Sequence, residues 1–236
     1  MEITGEGDPS GVSVPVAVTG LDYSLTFRTA GDRATRARIY GLRQVEFKSR
    51  NDYLLSNRAG LHPAEDEFDA GSFQFCCSVG EDVVASCRFS PPLNGTWEAG
   101  RLCPLPSFVR EAHTPPLQIG RVAVRGDLRR AQITEVMLCM ACRWLMEHTP
   151  FTWYFALCLP RLAQYYEHFG AEIVAGEDVI LPARDNGRYQ FVQGGLERSE
   201  RVITSYLAAQ GKGVWTLPAQ RAREATDLTT STRPGE

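Results

Sequence analysis

Alternating and clustered apolar residues divide the middle of the chain into strands and helices. Phe151–Leu159 is an aromatic, apolar run bounded by prolines, which is typical of a buried strand. Pro160 can open a helix, because its fixed φ suits the first helical turn. Apolar side chains then recur at helical spacing, at Leu162, Tyr165, Tyr166 and Phe169. Gly170 is a helix stop, and Ala171–Ala175 is predicted to return as a short strand.

The preceding segment predicts a second pair of elements. Leu117–Val124 has the pattern of a strand, Arg125–Ala131 is a charged turn, and Gln132–His148 is a long helix that is apolar on nearly every side. Together the two segments give the order strand, short basic loop, helix, strand, helix.

The N-terminal half predicts a helix followed by a hairpin. Leu21–Arg28 alternates and is predicted to be the first strand. Asp32 can cap a helix that runs to about Ser49. Ser72–Val79 and Asp82–Pro91 flank a short turn and predict an antiparallel hairpin.

The remaining segments complete an α+β pattern. Pro91–Pro116 contains six prolines and is predicted to be a long irregular excursion. Asp178–Leu181 and Tyr189–Val192 are predicted strands, and Leu196–Gln210 is a predicted helix. This order favours an α+β fold with a central mixed, mostly antiparallel twisted sheet and helices on both faces.

Composition places the chain among ordinary globular proteins. Of its 236 residues 43% are apolar and 22% charged. We expect a flexible arm over residues 1–20, a single domain over 21–215 and a polar, disordered tail over 216–236. No apolar run is long enough to cross a bilayer, and the acidic start lacks the features of a signal peptide, so we expect a cytoplasmic protein without membrane insertion. The net charge of −3 argues against a DNA-binding role.

The seven cysteines fall mostly in apolar segments and are expected to be reduced core residues. Cys139 and Cys142 have zinc-like spacing, but no second pair exists and both lie in the apolar helix. We therefore expect no metal site.

The helix that ends Tyr-Tyr-Glu-His-Phe-Gly resembles a segment of the GNAT superfamily of N-acyltransferases, with Tyr166 at the family's tyrosine position. The resemblance implies a GNAT-like fold, in which two splayed strands hold the arm of a thioester. In that setting Val122, Ala123 and Val124 would line the donor site, and a backbone N–H there would stabilise the oxyanion. Tyr166 would protonate the leaving thiolate. A structure with those strands paired along their whole length, or with Tyr166 away from any opening, would contradict this hypothesis.

Five further motifs, in order, resemble the autoinducer (acyl-homoserine lactone) synthases and, more closely, the long-chain N-acyl amino acid synthases, over about residues 36–175. They are Arg38–Lys48, Asp66–Asp69, Cys87–Phe89, Pro104–Phe108 and Gln118–Arg121. The resemblance assigns acceptor binding to a set of four residues: Arg43, Arg88, Arg121 and Phe108. It pairs Asp66 and Asp69 with these arginines. Two interpretations stay open: a purely structural ion-pair network, or one arginine left for a substrate carboxylate.

Two departures from these families concern the acceptor. Gln118 replaces the families' glutamate, and the tryptophan that autoinducer synthases carry after the first helix is missing. Both weaken S-adenosylmethionine as acceptor and favour a small amino-acid-like amine.

A third departure concerns the donor. The aligned donor-loop residues are Arg129, Gln132 and Thr134, with no glycine, so their side chains are expected to crowd a pyrophosphate. An acyl-carrier protein presents phosphopantetheine without a nucleotide and is therefore preferred to free coenzyme A. A basic cluster suits such an acidic carrier or an RNA backbone, and consists of Arg125, Arg129 and Arg130.

The resulting hypothesis is direct attack of an amine on a phosphopantetheine thioester used as co-substrate, with no tightly bound cofactor, in the biosynthesis of a signal or specialised metabolite. Glu98 and His113 are the candidate bases. The aromatic and methionine side chains of the core either line an acyl tunnel or pack as plain core. They are Phe108, Met137, Met140, Phe151, Trp153 and Phe155. Alternatives are a transferase of the same fold that uses charged tRNA, and a non-catalytic binder of a carrier or small molecule.

Overall fold

A computed structural model describes residues 13–16, 25–48, 51–55, 61–129, 131–184 and 186–211. The described residues form eight strands and five α-helices. The strands are β1 Ser13–Val16, β2 Leu25–Thr29, β3 Phe73–Val79, β4 Asp82–Ser90, β5 Leu117–Val124, β6 Trp153–Cys158, β7 Glu172–Leu181 and β8 Gly187–Gly195. The helices are α1 Arg33–Lys48, α2 Ser107–Arg110, α3 Ile133–His148, α4 Pro160–His168 and α5 Leu196–Ala209.

All eight strands lie in one sheet, in the order β1-β2-β3-β4-β5-β6-β8-β7. Every neighbouring pair is antiparallel except β5 and β6, which are parallel. Parallel neighbours need a crossover connection, and α3 supplies it between these two strands. The predicted α+β fold with a mixed, mostly antiparallel sheet is confirmed.

The two parallel strands separate after a short paired stretch. Leu117 pairs with Tyr154 and Gln118 with Phe155, but no later residue of β5 pairs with β6. Because β5 continues to Val124 and β6 to Cys158, a wedge opens between their C-terminal halves. This is the splayed pair that the sequence hypothesis required.

Helices cover both faces of the sheet. On β3, Cys76 contributes to the cluster beneath α1, whereas its neighbours Phe75 and Cys77 contribute to the cluster that includes α3. Successive strand residues point to opposite faces, so α1 and α3 lie on opposite sides. Helix α3 packs against the sheet on one flank and against α5 on the other, which explains why its sequence is apolar on nearly every side.

Local signals fix the ends of the helices that flank the wedge. The side chain of Asp32 accepts hydrogen bonds from the backbone N–H of Thr35 at 2.8 Å and from its hydroxyl at 2.6 Å, and so caps α1. Pro160 is the first residue of α4, as predicted. Gly170 follows that helix with a φ of +88°, a left-handed conformation that glycine adopts at low cost.

Two sequence predictions need correction. Ser13–Val16 lies in the expected flexible arm, yet it pairs with β2 as an edge strand. The strand predicted over Leu21–Arg28 corresponds to β2, and residues 21–24 lie outside the described ranges, as does the predicted tail over 216–236. The two predicted strands Ala171–Ala175 and Asp178–Leu181 form one strand, β7, whose register breaks between Ile173 and Asp178 around the left-handed Gly176.

The proline-rich excursion folds against the sheet rather than away from it. It contains a 3-10 turn at Ala99–Arg101 and the short α2. Trp97 and Val109 pack with Phe155 and Phe191 on the face opposite α3, α4 and α5. The excursion therefore forms a second layer beside the wedge.

All seven cysteines are unpaired and buried, as predicted. Within the described ranges, no group of three or more His, Cys, Asp or Glu side chains is arranged to hold a metal ion. Among the helices of the described residues, none combines the length and apolarity needed to span a bilayer.

Candidate active site

A cleft of about 140 Å³ lies where β5 and β6 separate. A single water needs only roughly 10–15 Å³, so the cleft has room for several waters or a small organic group. Its walls come from the middle of β5, the end of β6, the start of α4, residues 51–54 and the excursion at 98–102. The turn after β7 and the start of β8 complete it through Arg184 and Tyr189.

A bulge in β5 shapes the floor of the cleft. Arg88 pairs with Gly120 and Ser86 with Ala123, so β5 has one residue more than β4 between these pairs. Arg121 occupies the bulge with a φ of +53°, a left-handed conformation that a non-glycine residue adopts only at a cost of about 1–3 kcal/mol. The bulge interrupts the ladder beside the cleft and directs Arg121 into it.

Tyr166 of α4 lines the cleft, as the sequence predicts. Its hydroxyl has no hydrogen-bond partner among the described residues, and the side chain is 7% exposed. Burial raises the pKa of the Tyr166 phenol well above its ordinary value, and the nearby Cys158 and Tyr154 act in the same direction. The phenol therefore keeps its proton at neutral pH and can donate it.

A buried network of arginines and carboxylates supports the cleft from below. Nη1 of Arg43 lies 3.1 Å from Oδ1 of Asp69, and both side chains are almost completely buried. Nη1 of Arg88 contacts the same oxygen at 3.0 Å and Oδ1 of Asp66 at 2.6 Å. The loop that carries Asp66 and Asp69 is thus tied to α1 and to β4.

The network continues to the cleft wall through Glu98. One oxygen of Glu98 accepts from Nη2 of Arg88 at 2.5 Å. The other accepts from Arg121 at 3.0 Å and from Arg184 at 3.4 Å. Arg121 also donates to Oδ2 of Asp66 and to the backbone oxygen of Leu54, both at 2.6 Å.

This network has a charge imbalance. Four guanidinium groups, those of Arg43, Arg88, Arg121 and Arg184, meet three carboxylates, those of Asp66, Asp69 and Glu98. One positive charge is left over within it. Removal of one partner from a buried ion pair typically costs about 3–5 kcal/mol, because the other charge stays desolvated.

The structure corrects several assigned roles. Arg43 and Arg88 are 0% and 1% exposed and do not line the cleft, so neither is placed to bind an acceptor. His113 is exposed on the excursion, away from the cleft wall. Phe108 packs on Trp153 with ring centroids 6.3 Å apart rather than in the cleft. Glu98 does line the cleft, but arginines already occupy both of its oxygens, which argues against a free base.

The aromatic and methionine residues considered for an acyl tunnel pack as core. Met137, Met140 and Phe151 belong to the main hydrophobic cluster, and Phe155 belongs to the cluster beneath the excursion. The apolar wall of the cleft comes instead from smaller side chains, which include Ile119, Val122, Leu157, Leu159 and Leu162.

The donor-loop side chains are held in place by contacts of their own. Arg125 pairs with Asp127 at 2.8 Å, and Arg129 forms an ion pair with Glu46 of α1. Gln132 donates from its amide to the hydroxyl of Tyr206 at 3.2 Å. Arg130 lies outside the described residues, so its assignment stays a prediction.

The N-terminus of α3 carries side chains that oppose a phosphate. Gln132 is the residue before the helix and has a φ of +58°, the left-handed conformation in which glycine costs least. Glu135 lies in the first turn and is only 9% exposed. The Glu135 carboxylate accepts a hydrogen bond from the Tyr165 hydroxyl and adds a negative charge to the first turn, so a pyrophosphate there would meet both a side chain and a like charge.

Sequence reasoning missed the residues on the far side of the cleft. Arg184 ends the short turn Pro182–Arg184 between β7 and β8, and its guanidinium packs on the rings of Tyr53 and Tyr189. Each of the three is unremarkable in the sequence, since an arginine after Pro-Ala is typical of an exposed turn. Only the path of the chain brings them together.

No family model matches the chain, and no curated protein matches it. Solved structures do. The AHL synthase LasI matches with a TM-score of 0.57 at 13% identity, over 81% of this chain and 96% of that one. FeeM, an N-acyl amino acid synthase from uncultured soil microbes, matches with a TM-score of 0.55 at 11% identity, over 74% and 92%.

The chain has the GNAT fold. The CoA-dependent acyl-homoserine lactone synthase BjaI, solved with MTA, also has this fold, with a TM-score of 0.56 at 13% identity over 72% of this chain and 80% of that one. The GNAT resemblance inferred from the sequence is thus confirmed at the level of the fold.

The buried network predicts a measurable dependence of stability on pH. Burial acts to raise the pKa of the Asp66 carboxyl, but the charges of Arg88 and Arg121 outweigh it, and the net pKa lies below the ordinary value. A carboxyl with a lowered folded-state pKa contributes stability above its unfolded pKa of about 3.9, and this is lost as pH falls through the folded value. We expect Asp66→Asn to lower the free energy of unfolding at pH 7 by about 3 kcal/mol.

Urea unfolding between pH 3 and 7 checks this prediction. Wild-type stability should decline below about pH 4 more steeply than that of Asp66→Asn, which lacks the titrating group. Asp82→Asn, at an exposed aspartate in the β3–β4 hairpin, should keep the wild-type slope. Equal slopes for wild type and Asp66→Asn would contradict the role of this carboxylate.

Proposed function

We propose that the protein is an N-acyltransferase that moves an acyl group from a phosphopantetheine-bound thioester to the primary amine of an amino-acid-like acceptor. The observation that supports this most is the wedge between β5 and β6, with Tyr166 on its wall. The arm of a thioester is a narrow, extended group with amide hydrogen-bonding atoms. The unpaired edges of two diverging strands offer such a group backbone partners.

The bulge in β5 supplies the second element of the proposal. A bulge leaves the extra residue of the strand outside the regular ladder, and Arg121 and Val122, which line the cleft, have no partner residue on β4, so the proposal uses a backbone N–H there. A fixed N–H donor beside the thioester carbonyl stabilises the oxyanion that forms during attack. The proposal therefore has the reacting carbonyl bind near the centre of β5.

Tyr166 is assigned as the donor of a proton to the departing thiolate. Its raised pKa keeps the phenol neutral, and no described side chain competes for its hydroxyl. The C–S bond breaks as the amine nitrogen bonds to the carbonyl carbon, and the phenol proton passes to sulfur. The amine's own proton goes to water in the cleft, because Glu98 is already engaged by arginines, and water returns a proton to the Tyr166 phenolate before the next turnover.

The donor is proposed to be an acyl-carrier protein rather than free coenzyme A. The Gln132 side chain and the Glu135 carboxylate oppose the pyrophosphate that coenzyme A brings and a carrier-bound arm lacks. Arg125 and Arg129 lie on the surface beside this helix and suit the acidic surface of a carrier. Both already have local acidic partners, so these arginines alone do not distinguish an acidic carrier from an RNA backbone, and charged tRNA stays the alternative donor.

Tyr166→Phe tests the chemistry. Loss of one proton-donating hydroxyl is expected to lower kcat by about 10²-fold or more, with little change in overall stability. The measurement is steady-state acyl transfer to a panel of amino acids, with product identified by intact mass.

Tyr154→Phe is the matched control. Tyr154 is also a buried tyrosine beside the wedge, but its hydroxyl bonds to Ser199 at 2.8 Å and it does not line the cleft. Its loss should leave kcat within about twofold of wild type. Equal activities of wild type and Tyr166→Phe would refute the assigned acid, and no acyl transfer from any thioester would refute the proposed function.

Gln132→Gly tests the donor. Glycine accepts the left-handed φ at this position and removes the side chain over the N-terminus of α3. We expect kcat/KM for acyl-coenzyme A to rise about tenfold, while kcat/KM for the acyl-carrier protein changes little. Gln132→Asn tolerates the same φ but keeps a side chain, so it should behave as wild type.

Assays with acyl-carrier protein, acyl-coenzyme A and charged tRNA as donors decide between carriers. We expect the wild-type protein to have a higher kcat/KM for the acyl-carrier protein than for the other two donors. A wild-type preference for free coenzyme A would show that the α3 N-terminus binds pyrophosphate despite these side chains.

A further inference from the structure

Arg184 is held in an unusual setting for a residue that ends a surface turn. Its guanidinium carbon lies 5.1 Å from the ring centroid of Tyr53 and 5.3 Å from that of Tyr189. The two tyrosines come from distant parts of the chain, and their hydroxyls are joined by a hydrogen bond of 3.0 Å. Stacking on aromatic rings fixes the plane of a guanidinium without using its N–H groups.

Most hydrogen-bonding capacity of Arg184 is unused. A guanidinium has five N–H donors, and the Arg184 side chain makes one hydrogen bond within the described chain, from Nη2 to Glu98 at 3.4 Å. That oxygen is shared with Arg121, which is closer at 3.0 Å. Nε and Nη1 of Arg184 have no acceptor among the described residues, and they are not sealed from the cleft.

The charge balance of the network also indicates that Arg184 lacks a full acidic partner. Its three carboxylates are shared among four arginines, and Arg184 has the longest of these ion contacts. The far side of the cleft is therefore a partly buried cationic site with donors that lack an acceptor, which favours an anionic ligand group.

We propose that Arg184 binds the carboxylate of the acceptor amine and so selects α-amino acids over amines that lack this group. The inference rests on the proposed acyl transfer and names the substrate class that the same cleft takes. A planar carboxylate can accept two parallel N–H bonds from the exposed edge of the guanidinium. The amine of the same molecule then points towards β5 and the thioester.

The position of Arg184 argues against a role for it in donor binding. The proposed donor approaches the N-terminus of α3, on the face of the sheet covered by α3, α4 and α5. Arg184 follows β7 and packs with Tyr189, a member of the cluster beneath the excursion on the other face. A phosphate of the donor and the guanidinium of Arg184 would thus lie on opposite sides of the wedge.

Binding of product analogues tests this without turnover. The probes are N-decanoyl-leucine and N-decanoyl-phenylalanine. Each is compared with the matching compound in which a primary amide replaces the carboxylate, because the amide removes the negative charge and keeps the shape. Calorimetric titration of the wild-type protein should give a Kd at least tenfold lower for the acids than for the amides. In Arg184→Met the acid and amide affinities should become equal within about twofold.

Two further variants serve as controls for the loss of Arg184. Arg188→Met removes an exposed arginine of the same hairpin, paired with Asp178 outside the cleft, and should retain the wild-type preference for acids. Arg184→Lys keeps the charge but lacks the planar fork, so its preference should lie between those of wild type and Arg184→Met. Thermal unfolding of each variant confirms that the fold is intact.

The outcomes separate the two proposals. Equal affinity for acids and amides in the wild-type protein, no binding of any probe, or an unchanged preference in Arg184→Met would overturn the role of Arg184. Acyl transfer to amino acids and to their amides at equal kcat/KM would also overturn it while the proposed function stands. Acid-selective binding with no acyl transfer from any thioester would overturn the proposed function.

Discussion

Two fully buried arginines constrain this structure more than any other feature. Arg43 on α1 and Arg88 on β4 cannot keep their charge away from water without carboxylates, and Asp66 and Asp69 meet that need. The loop between α1 and β3 must therefore lie across the sheet, close to β5. From there Glu98 and Arg121 extend the same network to the excursion and to the bulge. The cleft wall is positioned as a consequence.

The bulge and the split between β5 and β6 are the second consequence of this arrangement. Arg121 reaches Asp66, Glu98 and Leu54 at once only because β5 holds it in a left-handed conformation. Three strong hydrogen bonds from the Arg121 side chain offset the backbone strain at this residue. The same distortion of β5 interrupts the ladder where a thioester carbonyl would lie. Structural support and the proposed chemistry thus depend on one residue.

The sequence predicts the bounds of an element well where one local pattern, such as an apolar run or a helix stop, determines them. The bounds of β5 follow directly from the apolar run Leu117–Val124, and Pro160 and Gly170 mark the limits of α4. Asp66, Asp69, Arg43 and Arg88 were identified as a set, although the structure assigns the two arginines to support rather than to the acceptor. The irregular β7 was predicted as two strands, because a bulge breaks the alternation on which such predictions depend.

Arg184 shows where sequence reasoning ends. Its role depends on two tyrosines 131 and 5 positions away, on the charge sum of a network, and on which face of the wedge it occupies. None of these is a local pattern. The proximity of Glu98 to three arginines is hidden in the same way, since the excursion that carries it has no periodicity to indicate its path.

The central claim is that the wedge between β5 and β6 holds the thioester arm of the acyl donor. A crystal structure with a non-hydrolysable acyl-pantetheine analogue, in which a methylene group is inserted between the carbonyl carbon and the sulfur, tests this most directly. The account predicts the arm between the unpaired edges of the two strands, with its sulfur within hydrogen-bonding distance of the Tyr166 hydroxyl. An analogue bound elsewhere, with the wedge closed or filled by side chains, would contradict it.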